Sequence, residues 1–483
     1  MENNEKPKLN RNRLLSEILA GVIAVTALAA FGAWGFSKSE ISTAGLVVAV
    51  LTLAMFTLAL ILMIPGAIRF FGGGAAAAAD GEYHLGERSG RKGRFITFVN
   101  IMIVMILIRL GILILAYLVG RAFRGYHRSF FATLESIWLK LDTDAPHYIS
   151  IAENGYVTTG NDMYSIVFLP LFPMLIRAFN YLFGNSFVSA MVINTVCTGA
   201  AAGVIYELAL CDMGRRSARN TVVFAFTMPA AIFYVAPMSE ALFLLLSALT
   251  LLSVRKGKFW LGAVMGALAS FTRSVGIIMI VPFVAEAIVY AVRRYREREG
   301  KGFAWTAVKL AACTLILLLG TFGYLLINKL VWGEWFKFME FQKEIWYQEP
   351  GIFFDTAARQ TDYLIMTIGS ENDAALGLWL PNLLFIFGAL LVLVFSARTF
   401  RTSYTLYFAA YFAATCSASW LLSAPRYLTA LVVLPLALAH LCDSRDDSAT
   451  IGRARAKASV VTTLLCIGQV FYLLMYVLDY SIY

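Results

Sequence analysis

The sequence predicts an all-α protein that crosses a lipid bilayer many times. Of its 483 residues, 59% are hydrophobic and 14% are charged, and the mean hydropathy is +0.72. A soluble chain of this length would carry about 25% charged residues. Apolar runs recur along the chain at lengths of roughly 20 residues, which a helix needs to span the hydrocarbon core. Together these observations predict a polytopic bundle of transmembrane helices.

The apolar runs predict about 13 spans. Two runs, 219–254 and 259–292, are too long for one span, and each contains a polar break, at 236–240 and 271–274. We therefore divide each of them into two short helices. The predicted spans are 14–36, 41–65, 95–119, 186–210, 219–236, 239–254, 259–272, 276–292, 305–329, 376–396, 403–421, 426–442 and 458–478.

The positive charges predict the orientation. The net charge is +10, and Lys and Arg cluster in short segments between the apolar runs, such as Arg215 with Arg216. This distribution is typical of positive-inside topology with a cytoplasmic N-terminus, and it argues against nucleic-acid binding. It leaves two large extracytoplasmic loops, 120–185 and 330–375.

Segment 164–183 is apolar enough to cross, yet this orientation requires it to start and finish outside. Its two prolines, together with Arg177 and Asn180, favour a helix that lies in the interface or re-enters the membrane.

Composition divides the chain into three parts. Residues 72–94 are rich in Gly and Ala and then in charged residues, which is typical of a linker. We expect this cytoplasmic linker to separate an N-terminal two-helix transmembrane hairpin, 1–71, from a multi-span body, 95–483. The N-terminus shows no convincing cleavage site, so the hairpin is expected to be a retained anchor.

The cysteines and histidines predict no metal site. The six cysteines and four histidines are dispersed and form no CxxC pair. Three other ionisable residues, Arg109, Glu207 and Glu286, fall inside predicted spans without an evident partner group. We expect them to join helices or to lie near the interface, and we assign them no chemical role.

The first large loop carries a polar cluster that could do chemistry. Asp142, Asp144, His147 and Tyr148 lie close together in it. Carboxylates at D-x-D spacing can supply a general base or hold a divalent cation such as Mg or Mn. The alternative is a solvated loop in which an aspartate caps a helix.

Three polar turns are expected on the same face as this loop. They contain Glu240, Arg273, and Arg426 with Tyr427. An ionisable group at a tight turn between apolar spans is costly unless it has a partner or a function. Snorkelling to the interface would explain each one singly. Their convergence with the acidic loop favours one shared site.

The second loop is dense in aromatic and amide side chains. Its sequence at 332–351, WGEWFKFMEFQKEIWYQEPG, includes Gln342 and Trp346. These residues could form an aromatic belt at the interface. They could equally form a sugar-binding segment or lid, because aromatic faces and amides suit hydroxyl-rich ligands.

Several of these motifs resemble one family. The run Asp144-Ala-Pro-His147-Tyr148, followed by I-A at 151–152 and G-Y at 155–156, resembles the W-D-x-x-H-Y…I-A…G-Y loop of GT-C membrane glycosyltransferases. The similarity is to the GPI mannosyltransferase 2 (PIG-V-like) family. Later motifs follow in the family's order: FLPLFP at 168–173, P-x-S-E at 237–240, T-R-x-x-G at 272–276, W-G-E…Q…W at 332–346 and PRYL at 425–428. Thr143 stands where the family has Trp, and the N-terminal hairpin is not part of its usual pattern.

The resemblance implies a GT-C-type bundle with large extracytoplasmic loops. It implies transfer of a hexose, mannose in the family, from a polyprenyl-phosphate donor to a glycolipid, glycan or protein acceptor, usually with inversion. The protein would be a multi-pass protein of the cell membrane with its active site on the extracytoplasmic face.

The resemblance also implies roles for the residues. Asp144 would be the general base, supported by Asp142 and His147. Arg273 and Arg426 would neutralise the departing lipid phosphate. The other predicted substrate-binding residues are Glu240, Tyr427, Tyr148, Gln342 and Trp346.

Two other functions fit a polytopic chain. A transporter or flippase of a lipid-linked sugar or other amphiphile would need polar groups deep in the spans and paired broken helices. The polar motifs here lie at one surface instead, which favours an enzyme. A non-catalytic scaffold would leave the loop motifs without chemistry.

Overall fold

A computed structural model describes residues 11–37, 41–72, 91–125, 128–297, 300–443, 448–480 and 482. Within these ranges the chain is helical, and one isolated β-bridge joins Pro350 to Ala418. The α-helices are α1 (Arg11–Ser37), α2 (Thr43–Phe71), α3 (Arg91–Arg124), α4 (Phe130–Trp138), α5 (Ala145–Asn154), α6 (Leu171–Phe183), α7 (Ser186–Ala209), α8 (Arg215–Thr227), α9 (Glu240–Arg255), α10 (Phe259–Thr272), α11 (Ile280–Glu297), α12 (Phe303–Trp332), α13 (Lys337–Glu344), α14 (Phe353–Thr367), α15 (Leu380–Ser396), α16 (Thr402–Cys416), α17 (Ala424–Thr429), α18 (Val433–Leu441) and α19 (Ser448–Val477). Short 3₁₀ segments occupy Asn161–Val167, Pro229–Tyr234 and Ser274–Met279, and a turn at Asn372–Ala374 with a π-helical turn at Ala375–Trp379 leads into α15.

The predicted all-α, multi-span architecture is confirmed, but the count of about 13 spans is not. In the described ranges, eight helices are long and apolar enough to cross a membrane. They are Asn12–Gly35, Thr43–Phe71, Gly93–Arg124, Ser186–Ala209, Ser274–Glu297, Phe303–Trp332, Asn372–Ser396 and Ile451–Val477. The remaining predicted spans form helices shorter than the roughly 17 residues that a crossing requires.

Prolines explain why some predicted spans are divided. In the predicted span 219–236, α8 ends at Thr227, and Pro229 opens a 3₁₀ segment because a proline cannot continue the helical hydrogen bonding. The predicted span 426–442 consists of two short helices, α17 and α18.

Segment 164–183 does not form one straight helix. The chain bends by 116° between the 3₁₀ segment Asn161–Val167 and α6, which is the geometry of a broken span or a re-entrant loop. Arg177 donates from Nε to the carbonyl oxygen of Ala152 at 2.6 Å and so caps the C-terminus of α5.

The N-terminal hairpin packs on the body. Helix α2 lies against α14 and α15. The indole Nε1 of Trp34 donates to Asp355 at 2.9 Å, and the rings of Phe56 and Phe353 lie 4.8 Å apart. Most of the predicted linker 72–94 lies outside the described residues, and 91–94 form the first turn of α3.

Ion pairs join the helices at the end of the bundle where α9 finishes and α16 begins. Glu286 of α11 accepts hydrogen bonds from Arg401 at 2.6 and 2.9 Å, and Glu207 of α7 pairs with Arg94 of α3. Both glutamates therefore join helices, as we expected of ionisable residues inside spans.

Candidate active site

A cavity of about 380 Å³ lies where the first large loop, the break between α10 and α11, the second loop and α17 meet. This volume falls within the range of small-molecule sites, about 300–1,000 Å³. Most of the predicted site residues line it: Asp142, Asp144, Tyr148, Arg273, Gln342, Trp346, Arg426 and Tyr427. The other two, His147 and Glu240, lie behind residues that line the cavity.

The contacts of Asp144 argue against helix capping, one of the two interpretations of the acidic loop. It occupies the N-cap position of α5, but its side chain makes no capping hydrogen bond. Its carboxylate accepts a hydrogen bond from Nη2 of Arg426 instead. The carboxylate is therefore engaged with the cavity, and helix capping does not account for it.

Glu240 binds both Arg273 and Arg426 and holds them in place. It is 1% exposed, and its Oε1 accepts from Nη1 of Arg273 at 2.5 Å and from Nε of Arg426 at 2.5 Å. It is the first residue of α9, where the helix dipole favours a negative charge. One buried carboxylate thus fixes two guanidinium groups beside each other.

A break in the helical chain presents Arg273. Helix α10 ends at Thr272, and Arg273 is extended, with φ −146° and ψ 141°. A Cβ at Gly276 would lie 2.4 Å from the carbonyl oxygen of Ala269, so only glycine allows the next turn to pack against α10. This explains the T-R-x-x-G spacing physically.

Tyr427 provides an aromatic face for both guanidinium groups. Cζ of Arg273 lies 5.4 Å from the centre of its ring, and Cζ of Arg426 lies 5.8 Å from it. Such cation–π contacts help to hold two like charges near each other.

Tyr148 and His147 connect α5 to the rest of the site. The Tyr148 hydroxyl and Oγ of Ser239 are 2.9 Å apart, and Ser239 also accepts from Arg273 at 3.2 Å. The His147 ring stacks on Phe168 at 4.6 Å, and its Nδ1 lies 3.1 Å from Oγ of Ser165. His147 therefore shapes the cavity through Phe168.

The second loop supplies a wall of amides and aromatic rings. Gln342 donates to Gln348 at 3.1 Å, and Gln348 donates to the carbonyl oxygen of Trp420 at 3.0 Å. The Trp346 ring meets Phe168 edge to face at 5.8 Å. The arginines and this wall give the cavity one cationic side and one side suited to hydroxyl groups.

The charges of the site keep Asp144 ionised. Burial alone would raise the pKa of its carboxyl group, but the positive charges of Arg426 and Arg273 outweigh burial and hold the pKa below its ordinary value. Burial lowers the pKa of the His147 ring and outweighs the opposing charges of Asp144 and Asp162.

The divalent cation that the D-x-D spacing left open stays a prediction. Among the described residues, no group of three His, Cys, Asp or Glu side chains is placed to hold a metal ion. Asp142 and Asp144 are the carboxylates that line the cavity, and Asp144 accepts from Arg426, so a cation there would need further oxygen ligands from a substrate phosphate or water.

Two buried residues support the site without lining it, and the sequence analysis missed their role. Arg109 of α3, 2% exposed, donates to the carbonyl oxygen of Val235 at 2.7 Å and to that of Tyr234. Asn194 of α7 donates to the carbonyl oxygens of Ala236 and Met238, the latter at 2.9 Å. These side chains supply hydrogen bonds to backbone carbonyl oxygens in the non-α-helical stretch that leads into Glu240. The presence of Arg109 inside an apolar span was the feature of the sequence that could have indicated this role.

The fold and the cavity define a multi-pass membrane protein with a paired arginine–carboxylate site at one end of its helices. Residues 93–318 match the model of the mannosyltransferase (PIG-V) family, which confirms the predicted resemblance. The match includes Asp144, Glu240 and Arg273, whereas Gln342 and Arg426 lie beyond it.

Two relatives show the extent of the similarity. GPI alpha-1,6-mannosyltransferase 2 of Cricetulus griseus is 29% identical over 149 residues, covering 28% of this chain and 29% of that protein. The Rattus norvegicus protein of the same name is 28% identical over 151 residues, with the same shares. The matched part thus spans less than a third of these relatives.

Among solved structures, the chain is similar to the crystal structure of ArnT from Cupriavidus metallidurans bound to undecaprenyl phosphate. The TM-score is 0.39 and the identity is 13%, over 81% of this chain and 78% of that one. The similarity to the mannosyltransferase (PIG-V) family rests on the sequence match and not on this distant structural likeness.

Proposed function

We propose that the chain is a membrane glycosyltransferase. It transfers a hexose, mannose by the family match, from a polyprenyl-phosphate donor to an acceptor hydroxyl on the extracytoplasmic side, with inversion. The acceptor is a glycolipid, a glycan or a protein. The observation that carries the proposal is the placement of Asp144, Arg273 and Arg426 around one cavity, with two of the three inside the family match.

The arginines suit the leaving group. A polyprenyl phosphate departs as an anion, so it needs neutralisation of charge rather than a proton. Two guanidinium groups fixed by Glu240 at 2.5 Å each offer donors in the fork geometry that matches phosphate oxygens. Fixing them before the reaction avoids reorganisation when the charge develops.

Asp144 is suited to act as the general base. The oxygen of the acceptor hydroxyl attacks the anomeric carbon, its proton passes to the Asp144 carboxylate, and the bond from the anomeric carbon to the phosphate oxygen breaks. The electron pair of that bond leaves with the polyprenyl phosphate. A single displacement of this kind inverts the anomeric centre.

The pairing of Asp144 with Arg426 links donor binding to the base. A donor phosphate that binds Arg426 competes with the carboxylate for the same guanidinium donors. Weakening the pair removes the interaction that lowers the pKa of Asp144, and the carboxylate becomes a stronger base. The donor would thus prepare the base that its own transfer requires.

The test is incubation of the purified protein with several polyprenyl-phosphate sugars while released polyprenyl phosphate is measured. We expect polyprenyl phosphate to be released only from the donor that carries the correct sugar. Release should be fast when an acceptor is present and slow, by hydrolysis, when it is absent. Movement of labelled donor across vesicles without formation of a glycosidic bond would contradict the proposal and would indicate a transporter or flippase.

A further inference from the structure

A second cavity, of about 470 Å³, lies between the start of α8 and the first half of α19 and shares no lining residue with the first. Its walls are unlike the lipid-facing surface around it. Two arginines, an amide and three hydroxyl groups line it with one alanine: Arg216, Asn220, Arg455, Ala458, Ser459, Thr462 and Thr463. The proposed transferase chemistry uses none of these residues.

The two arginines are available to a ligand. Arg216 and Arg455 are both exposed, and neither makes an ion pair or a side-chain hydrogen bond within the described part of the chain. Arg216 lies in the first turn of α8, where the helix dipole disfavours a positive charge. An anion between the arginines would relieve both the unpaired charges and this unfavourable position.

The hydroxyl groups extend the same surface. Ser459, Thr462 and Thr463 lie three and four positions apart on α19, so they share one side of the helix with Arg455. The Thr462 hydroxyl donates to the carbonyl oxygen of Ala458 at 2.8 Å, so the hydroxyl donors that remain for a ligand on this side are those of Ser459 and Thr463. Hydroxyl and guanidinium donors together suit phosphate oxygens.

The surroundings of the cavity indicate an amphiphile. Beyond the polar residues, Ile467 of α19, one turn past Thr463, is 61% exposed, and Val223 of α8, one turn past Asn220, is 39% exposed. These apolar side chains continue from the basic end along both helices. The arrangement offers a polar pocket for a head group and an apolar surface for its hydrocarbon chains.

We propose that this cavity binds the phosphate of an anionic phospholipid from the cytoplasmic leaflet, whose acyl chains lie along α8 and α19. Segments 211–218 and 443–457 are cytoplasmic by the distribution of positive charge. Anionic lipids of that leaflet attract basic residues at the membrane surface.

Native mass spectrometry of the purified full-length protein tests this site. The protein is titrated with phosphatidylglycerol, phosphatidylcholine or inorganic phosphate. We expect tighter binding of phosphatidylglycerol than of phosphatidylcholine, and an R216Q/R455Q variant is expected to bind phosphatidylglycerol about 30-fold more weakly, because two basic residues contribute to it. Inorganic phosphate should not displace the lipid.

The control is R293Q/R294Q, which removes two positive charges on the same predicted side of the membrane and should leave phosphatidylglycerol binding unchanged. A second measurement is thermal unfolding, which phosphatidylglycerol should shift upward in the wild type and not in R216Q/R455Q. Equal binding by R216Q/R455Q and wild type, or equal loss in the control, would overturn the proposal. Displacement by inorganic phosphate would overturn the assignment to a lipid.

Discussion

At the scale of single residues, Asp144 shows how much a sequence can predict about a site. D-x-D spacing in a loop left two interpretations open, an N-cap and a base. The position of Arg426, far along the chain, argues against the N-cap, because it binds the carboxylate that would otherwise cap α5, and the role of base stays a prediction. Residue type and spacing predicted the candidates, whereas their partners depend on tertiary packing.

Asp144 should make stability depend on pH. Its pKa is lower in the folded protein than in the unfolded chain, so its ionisation stabilises the fold at neutral pH. That stabilisation is lost as the pH falls below the ordinary aspartate value of about 3.9 toward the folded-state pKa. Thermal unfolding of detergent-solubilised protein across acidic pH should show this loss in the wild type, and a smaller one in Asp144→Asn. Equal pH dependence in both proteins would contradict it.

Glu240→Gln should destabilise the protein strongly. The substitution leaves Arg273 and Arg426 buried with a neutral partner, and loss of a buried ionic partner costs about 3–5 kcal/mol. Chemical unfolding should measure the loss. Glu340→Gln is the matched control, because Glu340 pairs with Lys337 at the surface and should contribute less than about 1 kcal/mol. Similar losses in both variants would show that Glu240 has no special role.

At the scale of elements, the breaks in the helices could be predicted, whereas the predicted count of about 13 spans is not confirmed. Polar residues inside two long apolar runs located the breaks at 236–240 and 271–274, and the structure has non-helical or 3₁₀ residues at both. Hydropathy cannot show that α8, α16 and α18 are buried among neighbours and shorter than a full crossing. A short helix that is buried inside the bundle can be as apolar as a helix that faces lipid, so hydropathy does not separate the two.

The unwound stretch before α9 should depend on Asn194. Replacing Asn194 by leucine leaves the carbonyl oxygens of Ala236 and Met238 without this donor, which should cost about 1–3 kcal/mol. Without these hydrogen bonds, residues 236–238 should move, displace Glu240 and so raise the KM for the donor. The measurements are thermal unfolding and donor kinetics. Asn154→Leu, at the end of α5, is the control, and equal effects in the two variants would contradict a positioning role.

At the scale of the whole molecule, the site combines four distant parts of the chain. The acidic loop, the turn at Arg273, the second loop and α17 meet around one cavity, and Glu240 lies behind its arginines. Positive-inside topology predicts that they share the extracytoplasmic face, since the clusters of Lys and Arg lie on the other side. The contacts of the N-terminal hairpin with α14 could not be predicted, because no motif signals them.

Labelling of single cysteines in a variant without native cysteines tests this orientation. Leu141, which is 93% exposed beside the acidic loop, should react as Leu141→Cys with a membrane-impermeant maleimide in intact cells. Lys258→Cys, in the turn between α9 and α10, should react only after permeabilisation. Labelling of both from the same side would invalidate the orientation.

The central claim is that Asp144 acts on the acceptor in a cavity whose arginines hold the donor phosphate. The most direct measurement is glycosyl transfer by purified Asp144→Asn, beside Asp162→Asn, a carboxylate of the same loop that bonds to Ser150 outside the cavity. We expect Asp144→Asn to insert normally and to lose about 10²–10⁴-fold in transfer rate, as a general base would, while Asp162→Asn stays active. Full transfer by Asp144→Asn would contradict it.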